Sequence, residues 1–247
     1  MIKIVDLKKS FGDEEVLKGL NLTIQEGQIT VILGRSGAGK SVLLKHIIGL
    51  MKPDEGKILV NGDEITSMSE RDLDRVRFQF GMLFQEGALF DSLSVWDNIA
   101  FPLSERDRLP KAEISSRVAK RIEEVELTGM EKKMPSEISG GMKKRVGLAR
   151  ALATDPKIVL FDEPTSELDP ITENSITDLI LKTHKMKKIT YVIISHNMKF
   201  TLAVADKIAM LYKGRIYAEG TPAQFKASKD PLISGYVTGS LNEITHG

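Results

Sequence analysis

Apolar and polar residues alternate near the N-terminus. Ile2, Ile4 and Asp6–Leu7 predict one strand, and Leu20, Leu22 and Ile24 a second. After a turn at Glu26-Gly27, Ile29–Leu33 is an unbroken, β-branched apolar run, the pattern of a strand buried on both faces. A glycine-rich loop follows, then an apolar helix from Ser41 to about Ile48, with Gly49 as its stop signal. Pro53–Gly56 reads as a turn, and Lys57–Val60 with Asn61-Gly62 as a hairpin. From about Glu86 to Leu152 the pattern becomes helical and charged, with Ile114, Val118, Ile122 and Val125 at helical spacing. Two buried strands then return, Ile158–Phe161 and Tyr191–Ile194, separated by a helix from about Ile171 to Lys185. This alternation predicts an α/β fold with a mainly parallel sheet covered on both faces. The N-terminal strands form an antiparallel β subdomain, and the middle of the chain an inserted α-helical one. Ile208–Leu211 and Arg215–Glu219 complete the strands. From Asp230 a polar tail carries Leu232, Ile233, Tyr236, Val237 and Leu241.

Composition narrows the class. The 247 residues, 41% of them apolar, fit one domain or one domain with an inserted subdomain. The formal net charge is +1, which excludes the large basic field of a nucleic-acid binder. Without cysteine the chain has no disulfide and no thiolate metal site. Met1–Leu7 lacks the apolar core of a signal peptide, and no apolar run reaches the ~18–20 residues of a membrane helix. A role at a membrane therefore requires docking onto something that spans it.

Gly34-Arg35-Ser36-Gly37-Ala38-Gly39-Lys40-Ser41 fits G-x-x-x-x-G-K-[ST], between a predicted strand and a predicted helix. Glycines let successive backbone N–H groups converge into a nest that, with the helix N-terminus, binds phosphate. Lys40 is expected on the β- and γ-phosphates and the Ser41 hydroxyl on Mg²⁺. Downstream, Ile158–Phe161 runs into Asp162 and Glu163. Ligands of parallel sheets sit at the carboxyl ends of strands, so Asp162 is expected toward Mg²⁺. Glu163 is placed to polarise the attacking water, an assistance of about 10²–10⁴ in rate.

Ile138-Ser139-Gly140-Gly141-Met142-Lys143-Lys144-Arg145 resembles the signature motif of the ABC ATPases. Ser139 reads both as a helix N-cap and as part of that motif. The resemblance covers roughly residues 1–222 and implies a P-loop NTPase (RecA-like) core at 1–85 and 153–229. It also implies a helical subdomain at about 86–152. The tail at 230–247 lies beyond the resemblance, and its apolar residues read either as a frayed terminus or as a segment that docks on a partner ATPase. The resemblance implies further that Phe11 stacks on adenine, that Val16 and Val42 join the nucleotide site, and that Gln85 reaches Mg²⁺ and the water. His196 matches the switch histidine near the γ-phosphate. Ser139, Gly140 and Gly141 would complete the ATP site of an opposite subunit in a head-to-tail homodimer. Ser166-Glu167-Leu168-Asp169 matches the loop that crosses this interface, with Glu167 where the family has a small residue.

Met142 departs from the usual glutamine of the signature. Together with Gly81–Asp91, Phe101-Pro102-Leu103 and Asp169-Pro170-Ile171-Thr172, it resembles the Mce-associated branch, whose ATPases power phospholipid trafficking of the Mla type. That resemblance implies ATP and Mg²⁺ as ligands, and integral-membrane permease subunits and an Mce-type substrate-binding protein as partners. The implied location is the cytoplasmic face of the bacterial inner membrane. An importer ATPase for another small solute and a soluble ABC ATPase outside transport are the alternatives.

Overall fold

In the computed structural model, which describes residues 1–85, 87–105 and 109–239, the alternating N-terminal residues pair as expected. β1 (Ile2–Phe11) and β2 (Glu14–Ile24) are antiparallel, with Ile2 opposite Ile24 and Ile4 opposite Leu22, all four buried. β3 (Ile29–Leu33) is buried at every position. The glycine-rich loop leads into α1 (Lys40–Ile47). β4 (Glu55–Val60) and β5 (Asp63–Glu64) form the predicted hairpin, with Asn61 and Gly62 both at positive φ, as a tight two-residue turn demands. The order of this antiparallel sheet is β2-β1-β4-β5.

The chain continues through α2 (Glu70–Arg77), β6 (Phe80–Leu83), α3 (Val95–Glu105), α4 (Lys111–Glu124) and α5 (Gly140–Leu152). Then come β7 (Ile158–Asp162), α6 (Pro170–Lys187) and β8 (Thr190–Ser195). The described residues end with α7 (Met198–Val204), β9 (Lys207–Tyr212), β10 (Arg215–Gly220), α8 (Pro222–Ala227) and α9 (Pro231–Thr238). No helix among the described residues is long and apolar enough to cross a membrane.

Two compact units result. One comprises Met1–Ser67 and the chain from Ile194 onward; the other is Met68–Ile193. In the first, β3 runs parallel to β9, Thr30 opposite Lys207 and Leu33 opposite Met210, and β10 is antiparallel to β9. Its core joins Leu33 to Ile208, Met210, Phe225, Ile233 and Tyr236. In the second, β6 and β7 are parallel, Phe80 opposite Ile158 and Leu83 opposite Phe161. Tyr191 is wholly buried there beside Phe161, and its hydroxyl donates to Thr183 at 3.0 Å; burial raises its pKa to about 12.

Two expectations concern the organisation of the chain. A helical subdomain was expected at about 86–152, and the compact unit that contains these helices runs from 68 to 193. The reason lies in how closely α5 approaches β6. A Cβ at Gly81 would overlap the Ala151 carbonyl, and one at Gly147 would come 2.6 Å from Leu83 Cδ1. The missing side chains let helix and strand pack as one body, so the helices belong with β6, β7 and α6. The expected tail also begins as structure: Asp230 caps α9, accepting from Leu232 and Ile233 N–H at 2.9 and 3.0 Å. Ile233 and Tyr236 are spent in their own unit's core, with Leu232 and Val237 packed against it. Leu241 lies outside the described residues.

Gly81→Ala is expected to destabilise the protein by about 1–3 kcal/mol through overpacking. Urea unfolding of the two proteins side by side checks this.

Candidate functional site

The first unit carries the phosphate loop. It leaves the buried β3 at Gly34, whose N–H donates to the Ser195 carbonyl at 3.1 Å. Ala38 N–H donates to Arg35 O at 3.2 Å, and Gly37 and Gly39 take φ of 78° and 94°. Those left-handed residues fold the loop back so that it enters α1, whose first-turn N–H groups have no partner within the helix. Lys40 is 6% exposed, and its ammonium donates to Gly34 O at 2.8 Å and Arg35 O at 3.0 Å. This holds a cation at the centre of the loop. Arg35, Ser36, Gly37 and Ser41 are exposed and Val42 is half-buried, so the loop presents its backbone and the Ser41 hydroxyl outward.

Around the loop the structure gathers two other predicted residues. A Cβ at Gly39 would lie 3.0 Å from Val16 Cγ1, so Val16 packs directly on the loop. His196 is exposed and follows Ser195, the residue that accepts from Gly34. Asn197 then caps α7 by accepting from Phe200 N–H at 3.0 Å, which fixes the backbone beyond the histidine. Phe11 closes β1 with its ring 47% exposed and the Lys9 ammonium 5.6 Å from its centroid. An exposed aromatic face suits stacking on a base. Beneath the loop lies a residue without an expected role in it, Tyr236 of α9. Burial pushes its phenol up, against the pull of the Arg35 backbone N–H and side chain, yet the hydroxyl makes no well-formed hydrogen bond.

The second unit carries the acidic and signature residues. β7 delivers Asp162, half-buried, at its carboxyl end. Glu163 follows with φ of 48°, a left-handed conformation rare for a residue with a side chain. Such strain costs about 1–3 kcal/mol and persists only where surroundings fix it, typically at working sites. Ser166 supplies part of that hold: its N–H and hydroxyl donate to the Glu163 carbonyl at 3.2 and 2.9 Å. Gln85, exposed beyond β6, donates from Nε2 to Glu167 Oε1 at 3.4 Å. The glutamate standing where a small residue was expected thus touches the predicted glutamine. Asp169 caps α6, and the Thr172 hydroxyl and N–H hold its carboxyl below the usual carboxylate range. Ser139 caps α5, accepting from Met142 N–H at 3.3 Å, so its N-cap reading is realised. Ser139 and Gly140 are exposed at the helix start, where N–H groups favour anions.

Lys144 is the functional candidate that motif reading passed over. It is 5% exposed, and its ammonium donates to Gln85 O, Glu163 O and Ser166 Oγ. Only the run of basic residues after Ser-Gly-Gly-Met pointed toward it. The same unit has an aromatic groove of about 280 Å³, lined by Phe80, Phe84, Phe90, Phe101 and Arg150. Phe90 lies 4.7 Å from Phe101, and the Arg150 guanidinium 5.7 Å from the Phe90 ring.

Comparison with known proteins places these features in context. A family model described as ABC transporter matches residues 17–166. The chain is 41% identical over 238 residues to the probable ribonucleotide transport ATP-binding protein mkl of Mycobacterium leprae, spanning 96% of this chain and 69% of that protein. It is 40% identical over 239 residues to the intermembrane phospholipid transport system ATP-binding protein MlaF of Haemophilus influenzae, spanning 97% and 90%. The solved dimer of the ATP-binding cassette MJ0796 in a post-hydrolysis state, bound to ADP and Pi, is similar with a TM-score of 0.81 and 31% identity. That similarity covers 90% of this chain and 99% of that one.

Gly39→Ala is expected to weaken nucleotide binding about tenfold or more, since the left-handed backbone costs roughly 1–2 kcal/mol and the new methyl meets Val16. Gly62→Ala, equally left-handed but with nothing within 4 Å of its Cβ, is expected to lose stability and keep its affinity. Calorimetric titration with a non-hydrolysable ATP analogue distinguishes the two.

Proposed function

The chain belongs to the ABC transporter family as an ATP-hydrolysing subunit, and from that premise we propose that it drives phospholipid movement by a membrane permease of the Mce/Mla type. The cargo rests on one observation, the 40% identity along 97% of this chain with a protein described as an intermembrane phospholipid transport ATP-binding protein. The ribonucleotide in the name of the mycobacterial relative is the second reading, at nearly the same identity.

In this reading the N–H groups of residues 37–42 and the Lys40 ammonium bind the β- and γ-phosphates. Phe11 and Val16 receive the adenine. Glu163 orients the attacking water, and its strained backbone supports that role. His196 acts near the γ-phosphate, and Gln85 on the water and metal. The Ser41 hydroxyl, the Asp162 carboxylate and the Gln85 amide oxygen are each donors of the kind taken by a hard cation that keeps some of its own waters, which fits Mg²⁺. When bound, the ion offsets phosphate charge as it transfers. Ser139, Gly140 and Gly141 serve the nucleotide of a second copy, a role supported by the exposure of Ser139 and Gly140 at the start of α5, with Gly141 buried behind them. Water exclusion on closure then strengthens each of these electrostatic contacts.

The aromatic groove beside β6 supports docking of a cytoplasmic segment of the permease. Binding there and ATP binding must affect each other by the same factor. An Mce-type substrate-binding protein completes the assembly on the far side, and the ATPase works at the cytoplasmic face of the inner membrane.

Glu163→Gln is expected to lower ATP turnover by about 10²–10⁴-fold while trapping an ATP-bound dimer, read by phosphate release and light scattering. Undiminished turnover would remove Glu163 from its role. Mass spectrometry of the complex purified with its membrane partners tests the cargo: co-purified phospholipid supports the proposal, and a ribonucleotide other than ATP or ADP, without lipid, replaces it with the second reading.

A further inference from the structure

The buried ammonium of Lys144 sits where three functional segments meet. Lysine has three N–H donors and no acceptor, and its charge is stable in the interior only when acceptors surround it. Here the acceptors are the carbonyls of Gln85 and Glu163 and the hydroxyl of Ser166. The first follows β6, the second follows β7, and the third opens the loop toward α6. Ser166 itself donates to the Glu163 carbonyl at 2.9 Å, so this carbonyl receives both the ammonium and the hydroxyl. Lys144 also lies on α5, little more than a turn from the exposed N-cap Ser139. A helix is stiff over that distance, so a shift at Ser139 is carried to the ammonium.

We propose that Lys144 is a positioning residue for hydrolysis, holding Gln85 and Glu163 in working geometry and linking them to the signature end of α5. The inference rests on the roles assigned above to Glu163 and Gln85. Glu163 keeps a left-handed backbone that needs outside support, and the Lys144 and Ser166 donors provide it. A neutral side chain at 144 frees the carbonyls of Gln85 and Glu163 from their shared cation. Glu163 then relaxes and its carboxylate moves off the water. Phosphate binding, which uses other residues, is left intact.

The test compares Lys144→Met, Lys144→Arg and Ser166→Ala with the unmodified full chain, each co-expressed with its membrane partners. Steady-state ATP turnover gives kcat and KM, and thermal unfolding gives the midpoint. Lys144→Met is expected to lower kcat on the order of 10- to 100-fold, the scale of misplacing a reacting group by about 1 Å, with KM within about twofold. Lys144→Arg is expected to recover most of that loss, and Ser166→Ala to show a smaller fall in kcat, also at unchanged KM. A folded Lys144→Met protein with normal kcat overturns the inference. So does a loss of kcat in Lys144→Met that arginine does not rescue. If Lys144→Met does not fold, normal kcat in both Lys144→Arg and Ser166→Ala overturns it. Glu163→Gln, measured in parallel, separates the two levels. Turnover retained in that variant removes the underlying reading. Turnover lost there but kept in Lys144→Met removes only the role of Lys144.

Discussion

Everything in the first unit follows from the need to aim a row of backbone N–H groups at one point. An extended strand sends successive N–H groups to opposite sides, and a helix points them along its axis. Only a reversal between the two makes them converge, and left-handed backbone at Gly37 and Gly39 supplies it. β3 must then be buried at all five positions so that the reversal starts from a fixed end. The Gly34 hydrogen bond to Ser195 ties the loop to the segment bearing His196. Val16 rests on Gly39, and Lys40 folds back onto the loop's own carbonyls. The antiparallel sheet is the support that brings Val16 and Phe11 to their places.

The second unit solves a different problem, keeping charged and strained groups in place inside a packed body. Arg121 is 3% exposed and reaches Glu124 at 2.5 Å and Asp155 at 2.6 Å; Lys187 also reaches Asp155, at 2.8 Å. These pairs join α4, the turn before β7, and α6. Only in Arg121–Glu124 are both side chains shielded from solvent, since Asp155 is exposed, and breaking such a pair by removing one partner is far costlier than its net contribution suggests. Such networks therefore specify one arrangement more than they add stability. Lys144 belongs to the same design, with backbone carbonyls in place of carboxylates.

Much of this was legible in the amino-acid order, for physical reasons that differ by element. The apolar runs at 29–33, 158–161 and 191–194 could be read because strands buried on both faces need uninterrupted side chains. The phosphate loop could be read because its backbone needs glycine at fixed spacing. Helices α2, α7, α8 and α9 were not anticipated, since six to eight residues show little helical period unless, as for the equally short α1, an adjacent motif marks the start. Their caps were nonetheless written in the chain: Ser69, Asn197, Thr221 with Gln224, and Asp230 before a proline. The unit boundaries were hidden because they depend on the closeness of α5 to β6, which two glycines permit and no local pattern announces. Lys144 was hidden for a similar reason: a lysine on a helix reads as solvated until its three acceptors, distant in sequence, are seen around it.

The C-terminal helix also bears on how the chain is made. Leu33, just before the phosphate loop, shares its core with Ile208, Met210, Phe225, Ile233 and Tyr236. A ribosome releases the N-terminal strands long before those partners, and domains fold as units during synthesis. The second unit, continuous in sequence, can close while the first still waits for its last residues. Nascent Leu33 passes that interval with its core incomplete, open to chaperones. The nucleotide loop matures only once those later partners have been made.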